Sequence, residues 1–407
     1  ATFHSTDTAP ARPSKPVVPD RAIWQWEAPA GTIVDPDDIA AIPHGVVVQV
    51  KDGVLALDAK TGEELWHHRI SGAGVLNSAS TPSGDLVLVE FATGNDVAPD
   101  DAGSLMVALD GRTGEVLSRY VFEELSPMRA QRKEGLDAFG LTDDVFVTGR
   151  LQDGLVAHAL PYGDPLWKWS TMPEGCESAS LDSTFDVIGS AVLIPLACDG
   201  KGGSHQIRLI ALDATTGREL WRYSSLVPGS LGTPLTAVPS PDGTAAFFRW
   251  RWEGDDAGSR SVVLDLETGD ELLPPTDGYG YSDLRVARNA LMVIDSSGGL
   301  TWTPYDGGEP LHMTATCGEL PWEAGHHESR VSNSEALVQV CVPDGAKAAR
   351  VAVLPWRSPR EGHTFEVDLA PGTAESQWHD GPHLLEFPEL MLVVPDSGDR
   401  DRITALR

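Results

Sequence analysis

The chain has 407 residues, with 60 Asp and Glu against 30 Lys and Arg, and a formal net charge of −30 at pH 7. That charge repels nucleic-acid phosphates and anionic lipid headgroups, so neither is an expected partner; it bears on solubility rather than on fold. Apolar residues make up 41%, enough for a large core, yet no run reaches the roughly 18 apolar residues that a membrane-spanning helix needs.

The first twenty residues, ATFHSTDTAPARPSKPVVPD, place Pro10, Pro13, Pro16 and Pro19 at a three-residue period. One turn of polyproline II has that period, so residues 1–20 read as a stiff, disordered spacer outside the fold. Residues 21–407 then form one domain. Within it, ALDAKTGEELW (Ala56–Trp66) returns nearly unchanged as ALDATTGRELW (Ala211–Trp221). Worn copies are ALDGRTGEVLS (Ala108–Ser118), AHALPYGDPLW (Ala157–Trp167), VLDLETGDELL (Val263–Leu273) and TPYDGGEPLH, which ends at His312. Each copy is an apolar alternating run, a turn containing Gly, and a second short run, which is the signature of a hairpin. Two more runs precede each copy, such as IAAIP and VVVQV before the first, or FDVIG and AVLIPLA before the fourth. Four strands per unit, repeated along the chain, predict an all-β fold built as a β-propeller.

The pattern A-x-D-x-x-T-G-x-x-x-W resembles the repeat of the PQQ-type quinoprotein β-propellers, from about residue 22 to the end. The resemblance implies that the Trp of each copy docks between neighbouring blades. Trp66, Trp167 and Trp221 hold that position; Ser118, Leu273 and His312 depart from it. Four-stranded units fall at about 37–70, 77–122, 136–170, 185–225, 235–275, 283–315 and 328–369. The chain then ends on three strands, HLLEF, ELMLVVP and RITALR. The missing fourth strand is expected in AIWQWEA (Ala22–Ala28), where Trp24 lines up with Trp167. An eight-bladed propeller closed by its N-terminal strand is therefore expected, with seven blades as the alternative. Such closure leaves no bare sheet edge in the last blade.

Four cysteines allow three connectivities. Cys176 and Cys198 stand at the same places in their repeats as Cys317 and Cys341, which favours the bridges Cys176–Cys198 and Cys317–Cys341 over four free thiols. Bridges imply an oxidising compartment. With the spacer, they imply a secreted protein, or one held outside the cell membrane by a segment upstream of residue 1.

Candidate ligand-binding groups lie in loops expected on one face. Arg129, Arg132 and Lys133 form a basic spot on an acidic body, and Trp322, His326 and His327 stand beside the second cysteine loop. Asp100 and Asp101, with Asp255 and Asp256 in a second DDAGS loop, are weak candidate calcium ligands, and a polar turn rich in Asp and Gly is the favoured reading, so no metal is expected. No nucleophile elbow, zinc-protease helix or phosphate loop occurs. The vicinal cysteine pair that the resemblance would imply for a quinoprotein dehydrogenase is missing as well. The expected function is thus that of a monomeric, non-catalytic binding, scaffold or sensor domain without a cofactor, with a protein or small ligand on the loop face. The alternative is an oxidoreductase using PQQ and calcium.

Overall fold

The computed structural model describes residues 2–5, 17–29, 32, 34–92, 104–122, 139–151, 154–161, 163–170, 172–178, 185–199, 205–227, 230–240, 243–253, 258–277, 283–286, 289–294, 299–314, 327–332, 335–342, 348–355, 362–368, 383–387, 389–394 and 402–407. These form eight antiparallel sheets in a propeller arrangement. Blade 1 consists of Ile39–Ile42, Gly45–Val50, Gly53–Asp58 and Glu64–Arg69, and blade 2 of Val75–Ser80, Leu86–Ala92, Ser104–Asp110 and Val116–Phe122. Blades 3 to 7 repeat the order over residues 139–169, 176–227, 230–277, 283–314 and 327–368. Blade 8 takes three strands from the end of the chain, His383–Phe387, Leu390–Val394 and Arg402–Leu406, and its fourth from the beginning, Ala22–Glu27. The pairing sets Trp24 opposite Ala405 and Trp26 opposite Ile403. Backbone bonds from Asp20 and Arg21 to the Arg407 carbonyl extend the closure to the last residue.

The middle strands of the blades read as nearly unbroken apolar runs because both of their faces are covered. Ala191–Asp199 (AVLIPLACD) is buried at every position except Asp199, whereas the fourth strand of the same blade, Glu219–Val227, alternates between buried and exposed. By contacts the chain parts into two compact units, residues 1–124, 296–301 and 312–407, and residues 125–295 and 302–311. Within the first, one cluster joins blades 8 and 1 through Trp24, Val46, Leu57, Leu392 and Ala405, and another joins blades 1 and 2 through Val54, Trp66, Val89 and Val107. Within the second, Leu193, Ala211, Trp221, Ala246 and Leu264 belong to the core between blades 4 and 5.

Two features differ from the sequence expectation. Thr2–Ser5, assigned above to the spacer, is a strand that pairs with Trp66–Arg69 and gives blade 1 a fifth strand. The proline period said nothing about this short segment, which precedes the first proline of the series. At the other end of the spacer, the Pro19 carbonyl lies 3.0 Å from His363 Nε2. Blade 4 begins earlier than expected, because its first strand is in two pieces. Cys176–Ser178 and Asp186–Ile188 both pair with Ala191–Asp199.

Candidate functional site

The repeated motif builds the same local structure four times. In blade 1 the Asp58 carboxylate accepts from Lys60 N, Thr61 N and Thr61 Oγ1 at 2.9, 2.9 and 3.1 Å. The Thr61 hydroxyl oxygen in turn accepts from Glu63 N at 3.2 Å. Asp110 with Thr113, Asp213 with Thr216, and Asp265 with Thr268 repeat the network. Asp is favoured here because a short carboxylate reaches the amides two and three residues on and so fixes the turn. Gly62, Gly114, Gly217 and Gly269 close these turns at φ of 71°, 71°, 68° and 77°, backbone that a side chain rarely tolerates.

The same glycines are seats for tryptophan. A Cβ placed on Gly62 would come within 2.7 Å of the Trp24 ring, and on Gly114 within 2.7 Å of Trp66. Gly217 and Gly269 stand in that relation to Trp167 and Trp221. Each indole also donates to the backbone carbonyl that follows the turn's first residue. The bonds run from Trp24 to Ala59 (3.0 Å), Trp66 to Gly111 (3.1 Å), Trp167 to Ala214 (2.8 Å) and Trp221 to Leu266 (2.8 Å). Each fourth strand thus anchors itself to the next blade by an aromatic ring and one hydrogen bond.

Two further residues make the anchor, and sequence reasoning passed over both. The residue facing each tryptophan across its sheet is alanine: Ala405, Ala56, Ala157 and Ala211. The strand pairing also slips by one residue just before Trp66, Trp167 and Trp221, leaving Leu65, Leu166 and Leu220 as bulges. A bulge re-aims the side chain that follows it. The signal was present in the repeat, whose first Ala and penultimate Leu recur with its Trp.

Cys176 and Cys198 face one another across the pair of strands and are bridged. Cys341 is disulfide-bonded as well, and its expected partner Cys317 lies outside the described residues. The loop-face candidates Arg129, Arg132, Lys133, Trp322 and His326, and the calcium candidates Asp100, Asp101, Asp255 and Asp256, also lie outside them. His327 opens the first strand of blade 7, paired with Val342. Among the described residues no cluster of His, Cys, Asp and Glu suits a metal ion.

Two ionisable groups sit in unusual surroundings. His68 is 2% exposed, meets Phe91 edge-on, and has no hydrogen-bond partner among the described residues for either ring nitrogen. Burial, and then the positive charge of Arg119, hold its pKa below the ordinary value. Tyr223 is pushed up to about 12, first by burial and then by the Glu271 carboxylate to which it hydrogen-bonds. Both lie in the packing between blades, His68 against Phe91 and Tyr223 against the core between blades 4 and 5.

Eight blades, the Asp-Thr-Gly turn and the tryptophan seat together make a β-propeller similar to those of the PQQ-like family. A family model described as outer membrane protein assembly factor BamB matches residues 21–124. The chain is similar to outer membrane protein assembly factor BamB of Burkholderia pseudomallei (strain K96243), at 22% identity over 342 residues, which is 70% of this chain and 88% of that relative. Among solved structures, BamB from Moraxella catarrhalis matches 93% of this chain and 98% of its own, at 14% identity and a TM-score of 0.48. The computationally designed Ika8 protein matches 95% of this chain and 100% of its own, at 13% identity and a TM-score of 0.52, a likeness of fold alone.

Proposed function

We propose that this protein is a non-catalytic, extracytoplasmic propeller that holds a protein partner on its loop face, as an assembly or scaffold factor of the cell envelope. The observation that carries the reading is the use to which the repeat is put. Its carboxylates are bound up in turns and its indoles in seats between blades, so the most regular polar and aromatic groups of the chain serve the fold. The Cys176–Cys198 bridge supports an oxidising compartment. The similarity to proteins named as outer membrane assembly factors supports a scaffold over an enzyme. Arg129, Arg132, Lys133, Trp322, His326 and His327 are the proposed contact residues, and no cofactor is required.

The test is photo-crosslinking in the native cell from positions 132 and 326, with position 60 on an Asp-Thr-Gly turn as the control. A discrete protein adduct from the loop positions and none from the turn is expected. Reversing Arg129, Arg132 and Lys133 to Glu should remove that adduct and leave the melting temperature unchanged. Calorimetric titration with PQQ and calcium should give no saturable heat. A stoichiometric PQQ complex that oxidises an alcohol would overturn the reading.

A further inference from the structure

Not every blade junction has its tryptophan, and the junction of blades 5 and 6 is one that lacks it. The copy in blade 5 carries Leu273 at the Trp position, and Leu273 pairs with Val263 rather than with alanine. The turn it should dock on, in blade 6, offers an unfilled seat. Among the described residues, a Cβ on Gly307 (φ 78°) would meet nothing within 4 Å, and the three atoms nearest to one on Gly308 belong to Asp306 and Pro304 of the same turn. The blade 6 turn shares one backbone bond with the others, Tyr305 N donating to Asn289 O as Leu266 N does to Thr244 O, and this aligns Gly308 with Gly269; Pro304 stands at the Asp position, and the positive φ falls one residue earlier, at Gly307.

A cavity of about 160 Å³ lies at this junction, lined by Phe247, Val263, Leu273, Leu291 and Thr303 among others. Counting from the shared backbone bonds and pairings, these residues stand where blades 4 and 5 have Leu193, Ala211, Trp221, Ala246 and Leu264. All five of those belong to the single core cluster that encloses Trp221. The cavity is therefore the space that an indole fills one junction earlier. An apolar cavity of about 150 Å³ in another protein stays dry and takes up benzene. Ser261 and Thr303 are among its lining residues, and a mainly apolar pocket with a few polar residues is the usual form of a small-molecule site.

We propose that the junction of blades 5 and 6 is a binding site for one small planar aromatic molecule of the indole class, which takes the seat that the chain fills with its own tryptophan at four other junctions. The proposal is independent of the loop-face reading, since it is argued from other residues.

The experiment is a titration of the full chain with free indole, followed through the methyl resonances of leucine and valine. Saturable shifts at Leu273, Leu291 and Val263 are expected, with none at Leu57 or Leu65. The double variant Val263→Ala/Leu273→Trp restores the alanine–tryptophan pair. It should raise the melting temperature and weaken indole binding by about tenfold or more, the scale on which a single methylene is read in a pocket. Val263→Ala alone should bind indole at least as tightly as the parent chain. If the double variant fails to fold, Leu273→Phe fills part of the same space and should weaken binding in the same direction. Absence of saturation, or equal binding by parent and filled variants, overturns the proposal.

Discussion

Asp58 shows how much of the motif is spent on one turn. Its carboxylate holds three donors, and Thr61 passes the constraint on to Glu63 N. Asp58→Ala should therefore cost about 1 kcal/mol, the net value of hydrogen bonds made at a half-exposed site, where water replaces part of what is lost. Urea denaturation would measure it, and Thr61→Val should cost less because Asp58 keeps its two backbone donors. His68 poses the opposite case, a buried group with no hydrogen-bond partner among the described residues. Its pKa in the folded chain lies below the ordinary value of about 6.5. The unfolded chain then takes up the proton first, so stability is full above about pH 6.5 and falls as the pH drops toward the folded pKa. His68→Leu removes both the orphaned nitrogens and this linkage. The melting temperature of the variant should fall less between pH 7.5 and 5.5 than that of the parent chain, as followed by circular dichroism.

At the scale of a strand, the unit of stability is the alanine–bulge–tryptophan set rather than the tryptophan by itself. Trp66 is fully buried, so Trp66→Ala should cost about 3–5 kcal/mol, as truncation of large core aromatics does. Ala211→Val tests the other half of the set. Two added methyl groups would press on Trp221, and a loss of about 1–3 kcal/mol is expected from overpacking. Chemical denaturation of both variants would give the two values. Much of this was legible in the sequence. The recurrence of Asp, Thr-Gly and Trp named the turn and the anchor, and alternation placed the strands. The partner roles of Ala56 and Leu65 were not read, because a small residue and a bulge carry no chemistry of their own until the register is known. The vacancy beside Leu273 was half legible. The substitution was visible, but the cavity depends on what Leu291 and Thr303 fail to fill.

For the whole molecule, the legible part was what repeats, and the illegible part was what occurs once. Eight blades and the strand shared between the ends follow from counting copies and finding the last one short. Thr2–Ser5 belongs to no copy, so no repeat could announce it, and its pairing with blade 1 comes from an edge that the repeat leaves open. This difference yields a prediction about truncation. Deleting residues 1–16 removes the added edge strand and should lower the melting temperature slightly. Deleting residues 1–29 also removes Ala22–Glu27, which leaves Arg402–Leu406 without its outer partner and empties the Trp24 seat at Gly62. The loss of that one indole is expected to cost about 3–5 kcal/mol. The bare edge should in addition drive self-association through strand pairing. Thermal melts, with light scattering on a sizing column, separate the two deletions. The shorter should remain at the mass of the parent, and the longer should melt far earlier and run as a larger species. Equal melting and equal mass for the two would show that blade 8 does not depend on its N-terminal strand.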